Sequence, residues 1–291
     1  TYIEASLIIS IVNCVKKGRP YWHYWQKGLT QRKYPTRKEK MEEIFDREKL
    51  LIGEEKLQNL NKKTVAIFGL GGVGSYVVEG LARSGIGNFV IVDGDKVDVT
   101  NINRQIIATT KTVGRLKVDV AEERIKEINS SAKVTKFAEF VVGENFFTAL
   151  EKENSELFET IKDVNYIVDA IDTVSSKIRI IEFAKANNIP VISALGTGNK
   201  LDPTKLKLAD IYDTKICPLA KVMRKELKKR GITSLDVVYS EEEPIKICEG
   251  KVEISKENND GNNAKKIGSI AYVPSVAGLF ICYKVVSEFV K

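Results

Sequence analysis

Histidine is almost missing from this chain of 291 residues. The single copy, His23, lies in the first forty positions together with both tryptophans, Trp22 and Trp25. From Met41 onward there is none. That excludes a Ser-His-Asp hydrolase, a His-liganded zinc enzyme and a histidine general base, unless the leading segment docks onto the body. Cysteine is scarce too. Cys14, Cys217, Cys248 and Cys282 are scattered and never spaced as CxxC, which argues against a disulfide framework or a tetrathiolate zinc site and suits a reducing cytosol. Long apolar runs are also lacking. Residues 5–15 fall short of the ~20 a membrane helix needs, and their charges follow the run where a secretion signal would precede it. The apolar tail, residues 274–290, contains Lys284 and Glu288 and predicts a core-covering helix. Membrane association through either segment stays open, and there is no internal repeat.

An excess of one charge is absent from the body. The chain has 46 Lys+Arg and 39 Asp+Glu, net +7. Residues 1–40 hold nine of the bases and two of the acids, leaving 37 of each in the remainder. A nonspecific polyanion binder is therefore excluded for the body. This break in composition predicts a basic, aromatic extension over residues 1–40, poorly ordered or non-native, with Met41 as the natural start of a body at 41–291. The aromatic patch at residues 21–25 would suit a membrane interface or base stacking.

What the body has is alternation. Short apolar runs at 64–68, 89–92, 134–137, 166–168 and 190–194 alternate with helical periods such as 73–83 and 116–128. Asp46 caps a further expected helix running to Leu60, with Leu50, Leu51, Leu57 and Leu60 on its apolar side. The pattern predicts an α/β fold: a doubly wound, mostly parallel, Rossmann-like sheet with helices on both faces and its ligand at the strands' carboxyl ends. The nucleotide-binding core is expected at about 46–200. An α+β extension at 201–291 carries a basic helix at 219–230 and a polar, mobile loop at 249–268.

Gly69-Leu70-Gly71-Gly72-Val73-Gly74 follows the first strand and opens a helix. Glycines let backbone approach a phosphate, and free N–H groups at a helix start point at the anion. Asp93 ends the next strand, where a carboxylate accepts bonds from ribose hydroxyls. Alone, these features do not separate a nicotinamide cofactor from ATP. Thr100-Asn101-Ile102-Asn103-Arg104-Gln105 and Val113-Gly114-Arg115-Leu116-Lys117 come next. Two cations there would neutralise a triphosphate and the charge that builds when its α-phosphorus is attacked; hydride transfer has no need of them. Asp172, in Asp169-Ala170-Ile171-Asp172-Thr173, would hold Mg²⁺ through oxygen.

Together these residues resemble the ATP-dependent adenylating family that includes the ubiquitin-activating enzymes and the bacterial activators of sulfur-carrier proteins. The resemblance implies that Gly69, Gly71, Gly72 and Gly74 lie along the phosphates and that Asp93 takes the ribose. It implies phosphate contacts from Asn101, Asn103, Arg104 and Lys117, with Asp172 serving the metal. Arg47 resembles the arginine that such enzymes supply to a neighbouring subunit's ATP, which implies a homodimer. The CxxC pairs common in sulfur-carrier activators are missing. Cys217, in Ile216-Cys217-Pro218-Leu219, is the one cysteine near a crossover loop where ubiquitin-type activators hold an acyl-accepting thiol.

Further stretches resemble the tRNA threonylcarbamoyladenosine dehydratases: residues 50–55, 170–175, 196–203, 217–220 and 273–278. The resemblance covers nearly all of 45–290, apart from a polar insert around 258–263. It implies a cytoplasmic, ATP- and Mg²⁺-dependent dehydration of threonylcarbamoyladenosine beside the tRNA anticodon. Sulfur-transfer proteins remain conceivable partners. A tRNA would need a basic surface, and Lys215, Lys221, Arg224, Lys225, Lys228, Lys229 and Arg230 supply one, with Leu219, Val222, Met223 and Leu227 packing beneath. Two competitors stand beside this reading: an adenylyltransferase for a ubiquitin-like sulfur carrier, in which Cys217 is indispensable, and an NAD-dependent dehydrogenase.

Overall fold

The structure, a computed structural model, describes residues 43–143, 145–153, 155–246 and 267–291. The 1–40 extension with Cys14, His23 and both tryptophans, Cys248, and nearly all of the polar 249–268 segment lie outside the described residues. Arg47–Lys291 forms one compact unit, separate from Thr1–Asp46.

Among the described residues, seven strands form one sheet in the order β3-β2-β1-β4-β5-β7-β6. They are β1 (Thr64–Phe68), β2 (Asn88–Val92), β3 (Lys133–Phe137), β4 (Tyr166–Asp169), β5 (Val191–Ala194), β6 (Leu206–Asp210) and β7 (Asp236–Ser240). All neighbours are parallel except β6 and β7. The first five strands reproduce the expected alternation. The C-terminal extension continues the same sheet, adding β7 beside β5 and closing the edge with β6.

A parallel sheet is buried on both faces, so its strands read as unbroken apolar runs. Successive side chains nonetheless point to opposite sides. Val65 and Ile67 join one buried cluster, while Ala66 and Phe68 join the other. The first cluster is covered by helices α2 (Glu54–Lys62), α3 (Gly74–Arg83), α4 (Lys117–Ile128) and α9 (Tyr272–Phe289). The second lies under α5 (Phe146–Lys152), α6 (Glu156–Ile161), α7 (Val174–Ala186) and α8 (Pro218–Lys229). The expected tail helix is α9. It crosses α3 closely, since a Cβ on Gly278 would stand 2.6 Å from the Val73 carbonyl oxygen and one on Gly80 would stand 2.8 Å from Cys282 Sγ. No helix among the described residues is long and apolar enough to cross a membrane.

One expectation fails. The helix predicted from Asp46 to Leu60 is two helices, α1 (Asp46–Ile52) and α2, broken at Gly53, where φ is +84°. That left-handed residue ends α1 and re-aims the chain. Leu57 and Leu60 reach the core as expected, but Leu50 and Leu51 are each 86% exposed.

Candidate active site

The end of β1 makes the floor of the site. Gly69 takes φ +88°, and a Cβ there would stand 2.8 Å from the Ala170 carbonyl oxygen in the β4–α7 connection. A Cβ on Gly74 would overlap the Gly69 carbonyl oxygen, so α3 starts as close to β1 as backbone allows. Gly71 has open space above it. The loop is thus packed against backbone at Gly69 and Gly74 and open at Gly71.

Asp93 is buried at the end of β2 and binds this loop directly. Its Oδ2 accepts the Leu70 N–H at 2.6 Å, and Oδ1 accepts the Asp95 N–H at 2.8 Å. Lys117, the first residue of α4 and also buried, donates to Asp95 Oδ2 at 2.7 Å and lies 3.7 Å from Asp93 Oδ2. Burial pushes the Asp93 carboxyl above its ordinary value, against the opposing pull of Lys117 and the two backbone amides. The end of β2 thus presents a buried carboxylate with an ammonium neighbour beside the glycine loop.

The segment between β2 and α4 carries the other expected groups. A 3₁₀ turn at Val99–Asn101 is capped by Asp98, which accepts from the Thr100 N–H, while Asn101 Oδ1 accepts from the Asp98 N–H at 3.2 Å. Asn101 therefore spends its oxygen on the turn. Arg104 Nη1 donates to the Thr100 carbonyl at 2.8 Å and to Asn103 Oδ1 at 2.9 Å. A Cβ on Gly72 would lie 3.5 Å from Arg104 Cγ and 3.1 Å from the Pro274 ring, so Arg104 flanks the phosphate loop. Asn103 Nδ2 reaches the Ser269 carbonyl at 2.9 Å, tying this segment to the approach of α9.

Asp172 stands exposed past the end of β4, with only a 3.3 Å bond from the neighbouring Thr173 hydroxyl. Behind it is a pair that sequence reasoning missed. Lys177 donates to Asp169 Oδ2 at 3.0 Å, to Ser193 Oγ at 3.2 Å and to the Ala194 carbonyl at 2.7 Å, and all of it is buried. Asp169 also accepts from Ser193 Oγ at 2.6 Å and from the Ile171 N–H at 3.2 Å, so the pair holds the turn from which Asp172 projects. Phe140 was missed as well. The residue is 56% exposed and its ring lies over Gly94, where a Cβ would stand 2.5 Å from it, beside Asp93.

Not every expected residue joins this edge. Arg47 is exposed in the first turn of α1 and bonds none of these groups. On α8, Lys221, Lys225 and Lys228 are exposed, over buried Ala220, Met223 and Leu227; Val222, expected beneath them, is 48% exposed. Arg224 turns inward to the Ile211 carbonyl and to Thr214. Arg230 pairs with Glu182 and Glu226, and Lys229 with Glu226. Cys217, at the start of α8, is buried, and a Cβ on Gly196 would stand 3.0 Å from its sulfur.

Glycine loop, clamped carboxylate and flanking cations thus meet at the carboxyl ends of β1, β2 and β4, and the comparisons with known proteins agree on one family. The chain is 41% identical over 255 residues to the tRNA threonylcarbamoyladenosine dehydratase of Bacillus subtilis, covering 85% of this chain and 94% of that one. It is 36% identical over 200 residues to the Escherichia coli protein of the same name, covering 66% and 71%. Among solved structures, the E. coli dehydratase TcdA in complex with AMP superposes with a TM-score of 0.71 at 30% identity, covering 85% and 94%. Its complex with ATP gives 0.70 at 30%, covering 85% and 93%. The ThiF family model matches residues 45–282, and the chain belongs to the ThiF family.

Proposed function

We propose that this chain uses ATP to dehydrate threonylcarbamoyladenosine beside a tRNA anticodon, through a carboxyl-adenylate. The observation that carries the reading is the strand-end arrangement in a chain that matches a dehydratase of that name over 94% of its length. Asp93 would accept the ribose hydroxyls, and the Gly69–Gly74 loop amides would meet the phosphates. The exposed face of Phe140 would stack on adenine. The substrate's threonine carboxylate attacks the α-phosphorus and pyrophosphate leaves. The carbamoyl group of the same side chain then attacks the activated carbonyl carbon and AMP leaves, with net loss of one water. Tethering makes ring closure intramolecular, with effective molarities of roughly 10⁵–10⁸ M attainable in well-oriented cases. Arg104 and Lys117, with Arg47 from a second copy in a homodimer, would offset charge building on the phosphates.

Among the described residues there is no cluster of three ligating side chains. Mg²⁺ commonly uses one or two carboxylates, several waters and the substrate's phosphates, and the weakly engaged Asp172 fits that set. When bound, it would neutralise charge on the polyphosphate. The neutral body leaves Lys221, Lys225 and Lys228 as the outward stripe for the RNA backbone, and a tRNA substrate puts the enzyme in the cytoplasm.

The burial of Cys217 and Cys282 favours direct cyclisation over a thioester relay to a sulfur carrier. The test incubates the protein with Mg-ATP and modified tRNA and looks for AMP and an 18-dalton loss from the nucleoside. Turnover kept by Cys217→Ala and lost by Arg104→Ala/Lys117→Ala is the expected result. No AMP, or loss of turnover with Cys217→Ala, would overturn the reading.

A further inference from the structure

The strand ends read in order as a linear site. Phe140 follows β3, Asp93 β2, the glycine loop β1 and Asp172 β4, and these strands are adjacent in the sheet. Base, ribose and phosphates would follow that order. The next strand is β5, two strand spacings, about 10 Å, beyond β1. Its carboxyl end lies at the same sheet edge, so a group in the loop after it would border the nucleotide.

The loop after β5 carries Lys200. It is 4% exposed, and among the described residues its Nζ has no hydrogen-bond partner. Burying an ammonium without a partner is costly. Glu242 does not relieve it, because that carboxylate accepts the Leu201 N–H at 3.0 Å and the Asp202 N–H at 2.9 Å. Glu242, Cys217 and Glu243 are the titratable neighbours that favour its charge, yet burial outweighs them and holds the amine below the ordinary lysine range. Two non-glycine residues beside it take positive φ. Asn199, just before Lys200, has φ +56°, and Ile216, just before Cys217, has φ +64° with an i to i+2 bond from the Cys217 N–H to the Lys215 carbonyl. A β-branched residue with positive φ is an outlier, and such strain collects at functional sites. The loop is also stitched to the nucleotide side. Asn199 exchanges two bonds with Gly268, and the adjacent Ser269 carbonyl holds Asn103.

We propose that Lys200 binds the carboxylate of the substrate, forming the acyl-side subsite next to the nucleotide. This rests on the function proposed above and names the group that recognises its substrate. An entering carboxylate would give the buried ammonium its missing partner and would let an anion approach an anionic triphosphate.

The test titrates the free nucleoside N6-threonylcarbamoyladenosine and its methyl ester into the full chain, with Mg²⁺ and α,β-methylene-ATP present, by calorimetry. Wild type is expected to prefer the acid by roughly tenfold to a hundredfold, the range for a hydrogen bond to a charged group. Lys200→Met should abolish that preference, leave affinity for the ATP analogue within twofold and melt no lower than wild type. Lys200→Arg should retain part of the preference, and Lys200→Gln serves if the methionine variant does not fold. Wild type that binds the analogue but treats acid and ester alike, or a Lys200→Met protein that still prefers the acid, overturns this inference and leaves the adenylation reading standing. Wild type that binds no ATP analogue overturns the reading beneath it.

Discussion

The most exacting perturbation is Lys177→Met. The ammonium of Lys177 is 1% exposed and uses its three donors on Asp169, Ser193 and Ala194. Asp169 is completely buried. Methionine keeps most of the packing, so the change isolates the charge. It leaves a buried carboxylate with one hydroxyl and one amide as donors. Removing one partner of a buried ion pair costs ~3–5 kcal/mol, mostly the penalty of the stranded charge. For a domain of this size, each kcal/mol moves the melting temperature by ~2–4 °C, so a fall of about 6–20 °C is expected. Urea denaturation should show the same loss in midpoint with an unchanged slope. Asp169→Asn in the Lys177→Met background should recover more than half of it, because no stranded charge then remains. Since Asp169 also holds the turn leading to Asp172, Mg²⁺-dependent ATP affinity should weaken in the single variant. A loss below ~1 kcal/mol, or a double variant no better than the single one, would refute the closed-pair argument.

Other perturbations probe the rest of the molecule. Gly74→Ala drives a methyl into the Gly69 carbonyl and should lower the melting temperature and abolish ATP binding by calorimetry, whereas Gly71→Ala, with open space around it, should melt normally and lose only affinity. Phe140→Ala should weaken ATP binding by ~1–3 kcal/mol, the usual worth of a base stack; unchanged affinity would remove Phe140 from the site. Glu79 is buried, which raises its carboxyl pKa, but hydrogen bonds from Arg124 and Arg83 outweigh burial and hold it below the ordinary value. A lowered folded pKa gives stability that is present above the unfolded value and disappears as pH falls through the folded one. Glu79→Gln should therefore destabilise at pH 7 and lose that effect as acid titrates the carboxylate; equal urea midpoint shifts at both extremes would contradict the pairing. Reversing Lys221, Lys225 and Lys228 to Glu should weaken tRNA binding and flatten its salt dependence, removing roughly three phosphate contacts, with ATP affinity untouched.

What could be read before folding was whatever depends on local pattern. Apolar runs marked β1 to β5, and the glycine loop and Asp93 could be placed at strand ends because that placement depends on local pattern alone. Leu50 and Leu51 misled because helical periodicity assumes one axis, and Gly53 at φ +84° changes it. Arg224 and Arg230 read as surface charge because their acceptors, Ile211, Thr214 and Glu182, lie on other turns and another helix. Phe140 acquires meaning only once β3 is paired with β2 in the register Phe137 to Val92, which carries the following loop over Gly94. Asp169 was passed over for Asp172, four residues from strand to solvent, although the buried carboxylate orders the exposed one.

The charges around the candidate site are partly engaged by protein partners. Lys117 holds Asp95 and faces Asp93, and Arg104 directs Nη1 at Thr100 and Asn103. On the proposed function, a phosphate would compete with these bonds at Lys117 and at Arg104 Nη1, so affinity there would come from the difference between two bonded states. Buried Lys117 is thereby kept paired, and ATP affinity at this end of the site would be set by exchange. Lys200 is arranged in the opposite way, with its amine buried and without a partner among the described residues. A carboxylate arriving there loses nothing to competition from a resident acceptor, and selectivity for the acid over its neutral ester follows from that difference.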